Sequence, residues 1–196
     1  MEITIKNKSR VEQLVTVFRY LQSLSDMVNI YLTEERLYIQ GMDASHVCLS
    51  EVAISSKWFD TYNTVNMTLG VSCKILFKVI NCWKDGQEIK LHCEDGGDKL
   101  YINFNGGNNI NKDFALPLIE IDTDLLEVPV SDYPVDLELE SDVFKDLIGE
   151  MSMFSESLSI GCDKETVSLC ADGECGKMTT AINEEDIEML ATEEDY

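Results

Sequence analysis

The sequence predicts an α+β protein built from two similar domains, and three observations predict it. Apolar residues alternate along many short runs, as half-buried antiparallel strands require. Other runs place apolar residues three and four positions apart, the spacing of a helix with one buried face. A strand, helix, strand, turn, strand order then occurs twice, about 132 residues apart, a repeat that needs no motif to detect.

The elements follow in order. Ile3 and Ile5 alternate in a first strand, and Ser9 is the expected N-cap of a helix that carries Val11, Leu14, Val15, Phe18 and Leu21 on one face. Val28, Ile30 and Leu32 form the next strand, Thr33-Glu34-Glu35-Arg36 a polar turn, and Leu37 and Ile39 the returning strand. Further strands are expected near residues 47–54 and 65–71, and a helix over residues 72–82. Three more strands, near residues 89–94, 99–105 and 112–118, are joined by Asp95-Gly96-Gly97-Asp98 and Gly106-Gly107-Asn108-Asn109, both clusters of turn formers. Two helices against many antiparallel strands make a first domain over residues 1–118.

Residues 119–134 alternate acidic with apolar side chains and hold two of the three prolines, the pattern of a connector lying on a surface. Beyond it the opening order returns. Val135, Leu137 and Leu139 lead to Ser141 and a helix with Phe144, Leu147, Ile148 and Met151. A strand at Leu158 and Ile160, a turn at Asp163-Lys164-Glu165-Thr166 and a strand at Val167 and Leu169 complete the repeat. Residues 135–196 are therefore a second domain.

Composition narrows the function classes. At 44% hydrophobic over 196 residues the chain can bury a core. No window approaches the roughly 18 consecutive apolar residues of a membrane span, and Met1-Glu2-Ile3-Thr4-Ile5-Lys6 is not a signal peptide, so a soluble intracellular protein is expected. The seven cysteines form no Cys-x-x-Cys pair and read as free thiols in a reducing compartment. No cofactor and no metal are expected. The acidic run near the C-terminus, Glu184-Glu185-Asp186-Ile187-Glu188 and Glu193-Glu194-Asp195-Tyr196, lacks the spacing of a calcium loop and reads as an edge strand and a frayed end.

The formal net charge of −22 argues against a nucleic-acid partner only if it is spread evenly. It is not. Residues 1–112 hold 12 basic and 13 acidic side chains, net −1, whereas residues 113–196 hold 3 and 24, net −21. Local field, not total charge, decides whether phosphates are attracted.

Three runs carry a resemblance. Gln40-Gly41-Met42-Asp43-Ala44-Ser45-His46-Val47-Cys48-Leu49 interrupts a strand pattern with a short polar loop; Phe59-Asp60-Thr61-Tyr62 follows; and Leu118-Ile119-Glu120-Ile121-Asp122 continues through Leu125-Leu126-Glu127-Val128-Pro129 to Tyr133. They resemble the centre loop, the Phe-Asp-x-Tyr run and the interdomain connector of DNA sliding clamps of the proliferating cell nuclear antigen (PCNA) family. The resemblance covers nearly the whole chain. It implies a clamp fold, with the helices of both domains on the inner face of a ring and antiparallel sheets outside. By the same comparison the second domain would be incomplete, with a helix, about four strands and the C-terminal segment that forms one wall of the family's partner groove expected beyond residue 196 or from another chain.

Site residues follow from the resemblance. Met42, His46, Val47, Leu49, Leu126, Val128, Pro129 and Tyr133 would line an apolar groove for a short clamp-binding motif with a 3₁₀ turn and aromatic anchors. Arg10, Arg19, Lys74, Lys78 and Lys145, all on expected helices, would face duplex DNA and meet phosphates without reading bases. Lys74 and Lys78 are four apart and share a helix face. Strands 112–118 and 177–182 would pair edge to edge between subunits.

The function so implied is a non-enzymatic homotrimeric ring that acts as a polymerase processivity factor and recruiting platform in DNA replication and repair. Its partners would be duplex DNA, a DNA polymerase, other proteins with the short motif and a clamp loader, with no membrane. Its location would be the nucleus or a viral or cytoplasmic replication site. The alternative is a clamp-derived binding scaffold or transcription-linked factor that no longer closes on DNA. A hydrolase using His46 and a nearby thiol is a third class, for which no triad spacing is present.

Overall fold

The computed structural model describes residues 1–107, 110–128, 135–162, 166–183 and 188–191, with side chains undescribed at 135–137, 183 and 188–191. The chain divides into two compact units, Met1–Leu126 and Glu127–Tyr196. The division falls within the stretch expected to be the connector.

In the first unit, β1 (Glu2–Ile5) leads into α1 (Lys8–Leu24), followed by β2 (Met27–Leu32), β3 (Arg36–Met42) and β4 (Leu49–Ser55). A 3₁₀ turn at Ser56–Trp58 leads to β5 (Thr61–Asn63) and β6 (Met67–Ser72), then α2 (Cys73–Ile80), β7 (Gln87–His92), β8 (Lys99–Gly106) and β9 (Lys112–Pro117). Two antiparallel sheets result, ordered β4-β3-β2-β6 and β5-β1-β7-β8-β9. The expected N-cap is displaced. Asn7, not Ser9, caps α1 by accepting from the Arg10 N–H at 3.2 Å, because β1 ends at Ile5 and the helix starts one residue before Ser9.

One core joins these layers. Val11, Leu14, Phe18 and Leu21 form the buried stripe of α1, and Cys73, Leu76, Val79 and Ile80 that of α2, which packs beside α1. From the strands, Ile3, Ile5, Val28, Ile39, Val71, Ile89 and Phe104 pack into the same cluster. Each such side chain contributes about 1.5–3 kcal/mol of burial. Cys73 and Cys93 lie in this core, and burial pushes the Cys73 thiol up to about 11, so it stays protonated.

The second unit repeats the opening of the first. β10 (Val135–Glu138), α3 (Ser141–Met151), β11 (Ser159–Cys162), β12 (Thr166–Gly173), β13 (Gly176–Asn183) and β14 (Glu188–Ala191) follow in order. β10 pairs with β14 as β1 pairs with β5, and the sheet β11-β12-β13 matches β2-β3-β4. Glu140 precedes α3 without a side-chain cap bond, so Ser141 is the first helical residue and not a cap. No counterpart of β6, α2 or β7 to β9 occurs among the described residues of this unit. The turn residues 163–165 and the acidic residues 184–187 and 192–196 lie outside the described residues.

Exposure differs between the repeats accordingly. Ile30 faces Ile39 across β2 and β3 and is 5% exposed, whereas Ile160 faces Leu169 across β11 and β12 and is 56% exposed. Phe144 on α3 is half-exposed, but Val11 on α1 is fully buried. Met151, Leu169 and Ala171 form a small core of their own.

Candidate functional site

Alternation puts Val28, Ile30, Leu37, Ile39, Leu69 and Val71 on the core side of the four-stranded sheet, which leaves Asn29, Gln40 and Gly70 on its other face. These three are cross-strand neighbours: Asn29 stands opposite both Gln40 on β3 and Gly70 on β6. The chain leaving β9 crosses over them. The Ile119 N–H donates to the Gly70 carbonyl at 2.9 Å, and the Asn29 amide donates to the Ile121 carbonyl at 3.0 Å. Gln40 then holds Leu126 at two points, accepting from its N–H at 2.8 Å and donating to its carbonyl at 2.9 Å.

The loop between β3 and β4 is organised by one carboxylate. Asp43 accepts from the Cys48 N–H at 2.6 Å, the Val47 N–H at 2.8 Å and the Ser45 N–H at 3.1 Å. The Cys48 amide above all, with those of Val47 and Ser45, holds the Asp43 carboxyl below its ordinary value of 3.8. His46 takes a left-handed conformation at φ 57° while its N–H donates to the Asp43 carbonyl. Met42 and Leu49, paired at the ends of β3 and β4, close the loop's base.

Between this loop and residues 121–126 lies a groove of about 740 Å³. Met42, His46 and Leu49 line one side, Ile121 and Leu126 the other, and Asn29 and Gln40 lie between them. Four of the expected groove residues, Met42, His46, Leu49 and Leu126, are thus brought together. Val47 is not in the lining and is 84% exposed at the loop tip. Val128 is exposed and belongs to the second unit, while Pro129 and Tyr133 lie outside the described residues. Sequence reasoning missed Asn29, Gln40, Gly70 and Ile121. For Asn29, Gln40 and Gly70 the available signal was a polar or missing side chain at an outward position of an otherwise regular strand, and for Ile121 its place in the apolar-acidic alternation of the connector.

Of the expected DNA-facing residues, Arg19, Lys74, Lys78 and Lys145 are exposed on their helices and Arg10 is partly buried. Arg10 lies 5.7 Å from the Trp58 ring centroid and Arg19 6.0 Å from that of Phe77, within the range of cation–π attraction. Lys74 and Lys78 are exposed on α2, opposite its buried stripe. Lys145 is exposed on α3 in the second unit, beside Asp146. Among the described residues none of the five forms an ion pair. Lys6 and Lys90, by contrast, bridge to Glu88, and Lys8 to Asp85.

A repeated opening of strand, helix and antiparallel strands, with two helices packed together in the first unit, a connector laid across its sheet and a groove beside it, defines the α+β clamp fold. Comparison with known proteins carries this to a family. The model for the proliferating cell nuclear antigen N-terminal domain matches residues 1–126, and that for its C-terminal domain matches residues 127–196. Proliferating cell nuclear antigen 2 of Drosophila melanogaster is 29% identical over 174 residues, covering 86% of this chain and 68% of that relative. The chain belongs to the proliferating cell nuclear antigen family, and so in general to the non-catalytic sliding clamps that serve as processivity factors.

Proposed function

We propose that the chain encircles duplex DNA as a subunit of a homotrimeric ring and uses the groove beside residues 43–48 to tether a polymerase and other proteins carrying a short motif. The observation that carries this reading is the apolar groove between the Asp43-held loop and the connector, in the first of two repeated units. Arg19 on α1 and Lys74 and Lys78 on α2, exposed and without an ion pair among the described residues, support the DNA side, since phosphate contacts without base contacts permit sliding. β9 and β13 are edge strands of their sheets, available to pair between subunits. A clamp loader and a location in the nucleus or at viral or cytoplasmic replication sites complete the proposal, with roles in replication and repair.

Replacing Leu126 and Tyr133 together by alanine tests the groove. A synthetic peptide with a 3₁₀ turn and two aromatic anchors should bind more weakly by about 1–3 kcal/mol, the scale of hot-spot truncations. Unchanged affinity in a calorimetric titration would remove the groove reading. The acidity of residues 113–196, net −21, favours one second reading, a binding scaffold or transcription-linked factor that does not close on DNA. Under that reading peptide binding survives and retention on DNA does not.

A further inference from the structure

Residues 119–126 form one wall of the groove, yet they belong to no helix or strand. Glu120, Asp122 and Asp124 are exposed along them, so little burial of their own fixes their path. A wall left to wander would have to be ordered each time a partner bound, and that ordering would subtract from affinity.

We propose that Gly70, Asn29 and Gln40 act as a positioning row that fixes the connector before any partner arrives and so sets how tightly the groove binds; this rests on the partner-groove reading above. Each residue does a different part. A Cβ at position 70 would stand 1.9 Å from the Ile119 carbonyl oxygen, so only glycine lets the connector dock against β6 there. Asn29 holds the Ile121 carbonyl at 3.0 Å. Gln40 satisfies both backbone groups of Leu126, which frees that residue's side chain for the groove. The Gln40 amide is itself oriented: its second N–H donates to the Tyr38 hydroxyl at 3.2 Å, and that hydroxyl is bonded to the Glu51 carboxylate. A chain of contacts thus runs from β4 through β3 to the connector.

Two variants of the intact chain separate positioning from direct contact. Gln40 lines the groove and Gly70 does not, so an effect of Gly70→Ala on the peptide passes through what its Cβ displaces, first the Ile119 carbonyl at 1.9 Å and then the Asn29 side chain at 3.2 Å, both members of the connector's mooring. Hydrogen exchange at the Leu126 amide in the peptide-free protein is the first readout, and affinity for the synthetic anchor peptide is the second. Gln40→Leu should speed exchange at Leu126 and lower affinity about tenfold, as expected when a preorganising pair of hydrogen bonds is lost. Gly70→Ala should lower affinity to a similar extent. If Gly70→Ala fails to melt cooperatively, Gln40→Glu takes its place: it keeps the acceptor for the Leu126 N–H, loses the donor to its carbonyl, and should give intermediate exchange and affinity. Unchanged Leu126 exchange in Gln40→Leu overturns the proposal, as does normal peptide affinity in a folded Gly70→Ala protein or wild-type behaviour of Gln40→Glu. Should the wild-type chain bind no peptide at all, the partner reading falls, while the exchange arm still decides whether the row holds the connector.

Discussion

Asp43 gathers three backbone N–H groups onto one carboxylate, and the shape of the loop that walls the groove follows from that charge-assisted set. Its pH dependence has a definite sign. The folded carboxyl is held below its ordinary 3.8, chiefly by the Cys48 amide, so the loop's stabilisation is fully present above that value and is lost as pH falls through the lowered one. The Val47 and Cys48 amide resonances, followed by NMR, should therefore titrate together at a pH below 3.8; titration above it would contradict the assignment. Asp43→Ala should lose the ordered loop at every pH. The residues that hold the connector show why sequence alone stopped short. Asn29 and Gln40 are ordinary outward residues of β2 and β3 until the fold brings Ile121 and Leu126, some ninety positions further on, within hydrogen-bonding distance of them.

Helices α1 and α3 occupy the same place in their repeats but are supported differently. Leu14 is 3% exposed in a core shared with α2, whereas Leu147 is only partly buried in the small cluster around Met151. Leu14→Ala should cost about 2–5 kcal/mol in urea unfolding, and Leu147→Ala under about 2 kcal/mol, because a half-open site loses less burial and leaves less of a cavity. Equal costs would mean that α3 is covered as fully as α1. Long periodic elements were readable from the sequence: the stripe of α1 and the alternation of β2, β3 and β12 occur where expected, whereas of the stripe expected on α3 only Met151 is buried, Leu147 and Ile148 are partly buried and Phe144 is exposed. Short elements were not readable. β5 has three residues, too few for any period, and it exists because Thr61, Tyr62 and Asn63 pair with β1. The start of α1 was misplaced because Asn7 and Ser9 are both capping types, and only the end of β1 decides between them.

At the scale of the whole molecule the decisive property is the uneven charge, close to neutral over residues 1–112 and −21 over the rest. A protein so acidic would meet DNA only through locally basic surface, and the proposal rests that contact on the exposed pair Lys74 and Lys78 of α2. Lys78→Glu should shorten retention on DNA and flatten its dependence on salt, while leaving the groove's affinity for the peptide unchanged. The central claim is a topological link to DNA, and it is tested most directly by loading the chain onto a closed circular duplex with its loader and then cutting the circle once. A ring that encircles DNA stays bound to the closed circle and leaves through the new ends when it is cut. Equal release from cut and uncut DNA, or no retention on either, would contradict it.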